Sequence, residues 1–271
     1  MKKFLLGILA LGLVVALAAC GDKSGDKQDE KSVKLGATPG PYSDMLNKAI
    51  KPELEKKGYK VEVQEFSDYI QPNNALNTDT IDANLFQHTI YLENFEKENE
   101  MDLSALITVP TAPMGIYSNK FKSIEEIEDG ATIAIPNDPS NAARAFLVLK
   151  DQGLIELDPN AEELKASEKD VVTNVKNLKF QPMEAGALPR AVEGTDLAAV
   201  PGNFALAADM NLLDALALEN MPDQYRNVVA VKADNEDSQL AKDLVEIVKS
   251  AEFEKIIDEQ FEGFGKPEWM K

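Results

Sequence analysis

The segment Pro136-Asn137-Asp138-Pro139-Ser140-Asn141-Ala142-Ala143-Arg144 carries the densest set of groups able to hold a small polar ligand. It follows an apolar run at 131–135 that reads as a buried strand stopped by Pro136. A helix is expected from Asn141 to about Gln152, closed by Gly153. Open α/β sheets bind ligands at such strand-to-helix junctions. The helix start adds free N–H groups and a partial positive charge. Asn141 and Arg144 are three residues apart and share a face in the first turn. A guanidinium there can hold a carboxylate through two parallel hydrogen bonds. The same spacing fits a surface arginine on an ordinary capped helix, and spacing alone favours that plainer role.

A second cluster closes a strand at Asn84-Leu85-Phe86-Gln87-His88. Phe86 and His88 are two apart and point to one side if the strand continues. His88 is the only histidine. A metal centre needs several such ligands, so no metal site is expected. No Gly-x-Ser-x-Gly elbow accompanies His88, so a hydrolytic triad is not expected either. A ligand-site role and a hydrogen-bonded structural role stand about even for this histidine. Tyr69, in Tyr69-Ile70-Gln71-Pro72-Asn73, offers an aromatic ring just before a helix start, although a core tyrosine is the commoner case. Glycine-rich phosphate loops are absent, and no cofactor is expected.

The elements that must position these groups alternate between strands and helices. Strands are expected at 33–37, 59–66, 81–86, 106–109, 131–135, 178–183, 197–200 and 227–232. A helix capped by Ser43 or Asp44 should run to about Lys57, and another should run over 91–100. Ser123 and Glu126 form a capping-box pattern, predicting a helix that ends at Gly130. Helices are also expected at 204–218, 238–250 and 251–261. Such alternation implies an α/β fold with mostly parallel sheets. One group of elements ends near Val109 and another starts near Met114. The late strand at 227–232 has no sheet of its own to join and returns to the first group. The expected architecture is therefore two lobes joined by two crossings, with a cleft between. Lobe 1 takes 33–112 plus 228–271, and lobe 2 takes 113–227.

The N-terminus has a different character. Met1-Lys2-Lys3 precedes an apolar run that reaches Ala19, as in a signal peptide spanning 1–19. Leu17-Ala18-Ala19-Cys20 is similar to the bacterial lipobox, in which the cysteine thiol is acylated before cleavage. Cys20 is the only cysteine, so it has no disulfide partner within the chain. Residues 20–32 hold no further apolar side chain and read as a flexible, lipid-anchored linker. The expected location is the extracytoplasmic face of the cell membrane. With 28 basic against 47 acidic residues the formal charge is −19, which repels nucleic acid and anionic surfaces.

These residues also carry a resemblance. Gly36-Ala37-Thr38-Pro39-Gly40-Pro41, Gln71-Pro72-Asn73-Asn74-Ala75-Leu76, Asp82-Ala83-Asn84-Leu85-Phe86-Gln87-His88 and Pro136-Asn137-Asp138-Pro139-Ser140-Asn141 recur in order. Asn177-Leu178-Lys179-Phe180 and Leu188-Pro189-Arg190 extend the series. Together they resemble the methionine-binding lipoproteins of bacterial ABC importers (the MetQ/NlpA group). The resemblance implies a two-lobed periplasmic-binding-protein fold of type II-like form, closing on a free amino acid without catalysis. It implies that Arg144 pairs with the ligand carboxylate, with Asn141 beside it, while Tyr69, Phe86 and His88 line the side-chain pocket. It further implies a membrane permease and its ATPase as partners.

Two stretches depart from the family pattern. Relatives usually read Val-Ile-Asn, one or two small or polar residues, then Tyr-Ala; this chain has Val200-Pro201-Gly202-Asn203-Phe204-Ala205. The first asparagine, a ligand contact in the family, is replaced by Pro201 or Gly202. Asn203 either substitutes for it or matches the second asparagine. Glu184-Ala185-Gly186-Ala187-Leu188 has small residues where relatives often carry a glutamine. These changes leave methionine, a related amino acid or a short peptide as the expected ligand. The alternative from another class is a surface adhesin or interaction lipoprotein on the same fold, with no small ligand.

Overall fold

A computed structural model describes residues 31–271. The expected leader, Cys20 and the linker up to Glu30 lie outside the described residues. Lys31 and Ser32 are correctly the opening of a strand rather than the end of the linker. Their backbone pairs in parallel with Tyr59 and Lys60, which extends the sheet by two positions.

In chain order the strands are β1 (Lys31–Ala37), β2 (Tyr59–Glu65), β3 (Ala83–His88), β4 (Leu103–Thr108), β5 (Gly115–Tyr117) and β6 (Thr132–Pro136). They continue with β7 (Ile155–Leu157), β8 (Val171–Asn174), β9 (Lys179–Met183), β10 (Leu197–Val200), β11 (Ala217–Leu218) and β12 (Asn227–Lys232). One five-stranded sheet has the order β2-β1-β3-β12-β4, and a second has the order β11-β5-β10-β6-β9. The first sheet thus takes strands from both ends of the described chain. The chain leaves it once, over 109–114, and returns once, over 219–226.

Why β12 returns is legible in its residues. Asn227-Val228-Val229-Ala230-Val231 is buried on both faces. Val229 and Val231 enter the core shared with Leu35, Leu85 and Phe253, while Val228 and Ala230 meet Phe66, Leu76 and Leu103 on the other side. A β-branched run buried on both faces belongs in the middle of a sheet. The helix Gln239–Val248 then lays Ala241, Leu244, Ile247 and Val248 on the first sheet, with Ser238 accepting from the Ala241 N–H at its start.

Lobe 2 has its own core. Phe146, Val148 and Leu149 of the helix Pro139–Asp151 pack on Ile133 and Ile135 of β6 and on Leu197 of β10. The opposite face of that sheet holds Leu188, Val192, Phe204 and Tyr117.

Several local expectations need correction. The helix expected to be capped by Ser43 or Asp44 begins at Pro41, with Gly40 at the cap and no side-chain cap bond. Gly40 takes a left-handed φ of 89°, and Pro41 supplies the fixed φ of a first helical residue. The capping-box helix at Ser123–Glu126 is absent, and the segment is irregular. Phe121 and Ile127 are buried there as separate anchors, and Glu126 accepts from the Lys122 N–H instead of returning to Ser123. The helix expected over 204–218 stops early, spanning only Gly202–Ala207. Asp209 turns left-handed, and Ala217–Leu218 pairs with β5 to complete a sheet edge. The polar stretch after Asp158 contains short 3-10 turns and also β8, which forms a two-stranded ribbon with β7.

Candidate functional site

Four elements converge between the lobes. The end of β3 supplies Phe86, Gln87 and His88, and Asn227 opens β12 directly opposite His88. The helix Pro139–Asp151 supplies Asn141 and Arg144, and the helix Gly202–Ala207 supplies Asn203. Tyr42, Tyr69 and Tyr91 complete the wall. All six candidate ligand residues, Tyr69, Phe86, His88, Asn141, Arg144 and Asn203, therefore line one cavity. The free space at this site is about 290 Å³, part of it open to solvent.

Local sequence explains the placement. Asp138 caps the Pro139–Asp151 helix, its Oδ1 accepting from the Asn141 N–H at 2.9 Å. The same carboxylate accepts from Ser140 Oγ and from Asn141 Nδ2. That fixes Asn141 with its Oδ1 toward the cleft. His88 caps the helix Thr89–Asn99, its Nδ1 accepting from the Tyr91 N–H at 3.1 Å. The ring proton therefore sits on Nε2, which donates to Asn141 Oδ1 at 3.3 Å across the lobe boundary. A second inter-lobe bond runs from Tyr69 Oη to Asn203 Oδ1 at 2.7 Å, and Asn203 Nδ2 donates to Thr38 Oγ1 at 3.3 Å.

Arg144 is not a surface arginine. Its Nε donates to Glu219 Oε1 and its Nη2 to Glu219 Oε2, both at 2.6 Å. Nη2 also reaches the Ala112 carbonyl at 3.3 Å, and Nη1 lies 3.5 Å from Asn141 Oδ1. The guanidinium stands 5.7 Å from the Tyr225 ring centroid, a cation–π distance. Nη1 is the edge with hydrogen-bonding capacity left over.

The opposite wall is aromatic. Tyr69 lies 5.8 Å from Phe86, 5.7 Å from Tyr91 and 4.9 Å from Phe204, centroid to centroid. Towards the mouth, Gly186 presses on the Ser67 carbonyl: a β-carbon there would come within 3.1 Å. The small residues at 185–187 thus sit where the lobes meet.

Burial and Arg144 together push the His88 pKa down to about 3. Burial likewise raises the phenol of Tyr42 to about 12 and that of Tyr69 further. A base with a folded pKa below its unfolded value of about 6.5 holds fewer protons when native. Its stabilising share is complete above that value and declines as pH falls towards 3. Wild type should lose about 2 kcal/mol through this group between about pH 6.5 and pH 5. His88→Gln should show a shallower acid limb in urea melts across that range; parallel limbs would remove His88 as the cause.

Residues missed by sequence reasoning are Tyr42, Tyr91, Asn227 and Glu219. Asn227 was visible as the one amide opening a valine-rich strand, and it lines the cavity. Glu219 gave no signal, since its partner lies far away in sequence. Among the described residues no group of three or more His, Cys, Asp or Glu side chains is placed to hold a metal ion.

Two lobes, two crossings and a buried polar anchor facing an aromatic wall define a substrate-binding protein of the hinged two-lobed kind. The chain belongs to the NlpA lipoprotein family, whose model matches residues 33–269. It is similar to the methionine-binding lipoprotein MetQ of Bacillus subtilis, 35% identical over 268 residues and 97% of each chain. It is also similar to the D-methionine-binding lipoprotein MetQ of Escherichia coli K12, 34% identical over 258 residues and 94% of each. Among solved structures, a nutrient-binding protein of Burkholderia cenocepacia bound to methionine superposes with a TM-score of 0.80 at 39% identity. That match covers 85% of this chain and 97% of the other.

Proposed function

We propose that the cleft captures methionine or a closely related amino acid and hands it to an ABC permease in the same membrane. The buried Arg144, with its Nη1 edge facing a cavity walled by aromatic rings, carries this reading. The ligand carboxylate would take that edge, with Asn141 beside it. The thioether would lie against Tyr69 and Phe86, where sulfur–aromatic contacts are favourable, with His88 as a neutral neighbour. A pocket that sets aromatic rings against the polar side chains Gln87, Asn141, Arg144, Asn203 and Asn227 suits a small amphipathic ligand. The relatives named above, one of them a methionine complex, support the choice. Capture and release would follow from hinge closure about the two crossings, with no bond made or broken in the ligand. The family name supports anchoring through lipid on Cys20, which would hold the protein beside its permease and ATPase.

A ligand that binds only the native protein raises its melting temperature by mass action. Purified mature protein should therefore be stabilised by L-methionine or D-methionine in a thermal-shift titration, with 1:1 stoichiometry in calorimetry. An absence of any shift with either enantiomer, or with methionine dipeptides, would sink the assignment.

A further inference from the structure

The Arg144–Glu219 pair goes beyond a ligand anchor. Both side chains are nearly inaccessible, at 5% and 3% exposure, and the carboxylate engages two of the three guanidinium nitrogens. Glu219 Oε2 also accepts from the Met114 N–H at 3.0 Å. Met114 ends the first crossing and Glu219 starts the second, so one carboxylate ties the anchor to both connections. A lone arginine at this depth would present a net positive charge to any ligand. Here the positive charge has a full counter-charge within hydrogen-bonding distance.

No other group facing Arg144 adds positive charge to that balance. His88 from β3 is held neutral by burial, and the phenols of Tyr42, Tyr69 and Tyr225 are raised above their ordinary range by burial. Asp138, buried at the helix start and bonded to Ser140 and Asn141, can only add negative charge, which disfavours an anionic ligand further. A charge added to a low-dielectric cleft without a partner is strongly disfavoured.

We propose that Glu219 sets the charge class of the ligand: by occupying Nε and Nη2 of Arg144, it leaves a directed donor inside a balanced ion pair, so the cleft accepts the zwitterion of an amino acid and discriminates against its anion. This rests on the methionine reading above. The ligand carboxylate gains the hydrogen bonds of Nη1 without the attraction of an uncompensated cation. Its ammonium must then supply the balancing charge.

The test uses one ligand in two protonation states. L-methionine is titrated by calorimetry near neutral pH and at about pH 10.5, above the range of a free α-ammonium. Wild type should bind the anion at least about tenfold more weakly than the zwitterion, and Glu219→Gln should shrink that gap by about tenfold. Glu219→Asp keeps the charge and should keep the gap, whatever it does to affinity. A flat wild-type profile overturns the proposal. So does a Glu219→Gln variant that weakens both states equally, because that is the behaviour of a structural brace. If Glu219→Gln does not fold, the decision passes to wild type and Glu219→Asp: a gap retained in both supports the proposal, and a gap lost in Glu219→Asp overturns it. Wild type that fails to bind methionine at neutral pH overturns the methionine reading and this inference together. Binding with an unmoved gap removes this inference alone.

Discussion

Arg144→Ala should lower methionine affinity by at least about a hundredfold and destabilise the fold in the same step. The affinity loss follows from removing a charge-assisted donor from a buried carboxylate, with each 1.4 kcal/mol worth about a factor of ten. The stability loss has a separate origin. Without the guanidinium, Glu219 keeps only the Met114 N–H as a partner in a dry site. Breaking a buried pair by removing one partner costs about 3–5 kcal/mol, whereas replacing both by apolar residues is often neutral. The double variant Arg144→Met with Glu219→Met should therefore recover much of the lost stability in urea melts and still fail to bind methionine. Arg144→Lys should fall between, since an ammonium keeps the charge but cannot present a planar fork. Unchanged methionine binding in Arg144→Ala would remove this residue from the site.

Gly202→Ala is the second large effect, and its sign opposes simple helix propensity. Gly202 is the first residue of the helix Gly202–Ala207, where alanine would ordinarily be the better helix former. Its α-carbon, however, abuts the first crossing. A β-carbon would stand 2.4 Å from the Pro113 carbonyl oxygen and 2.7 Å from the Ala112 β-carbon. Both obstacles are backbone or the root of a side chain, so neither can swing aside. Overpacking of this kind costs about 1–3 kcal/mol. Relief requires the helix to withdraw from the crossing, which draws Asn203 away from Tyr69 and Thr38. Gly202→Ala should lower both the melting temperature and, by about tenfold, methionine affinity. A variant as stable as wild type would show that the crossing yields freely. The backbone at Gly202 comes too close to the first crossing for a side chain.

The fold was most legible where hydrophobic pattern and tertiary environment agree. The valines of β12 and the apolar face of Gln239–Val248 announce themselves because both sides of a central strand, or one stripe of a helix, must be apolar. Reading failed where local signals had to compete with sheet completion. Residues 208–218 are rich in helix formers, yet Ala217 and Leu218 pair with β5 because that edge strand would otherwise leave its backbone groups unpaired. Ser123 to Glu126 had the letters of a cap, but Phe121 and Ile127 each had their own place in the lobe 2 core. In the site, Asn141 and Arg144 were readable from one helical turn. Glu219 and Asn227 were not, because their importance comes from contacts between segments far apart in sequence.

The sheet order also governs when each half of the molecule can be built. All five strands of the β11-β5-β10-β6-β9 sheet lie within residues 115–218 of a single uninterrupted stretch. The other sheet waits for β12, which must slot between β3 and β4 after nearly 120 residues of intervening chain. Until it arrives, β3 and β4 each present an unpaired edge, and the strand meant to separate them is the last of twelve. Long-range pairing of this kind is slow to form. As the chain folds, the internal lobe can therefore set early, while the lobe that holds both ends of the described residues stays open to the end.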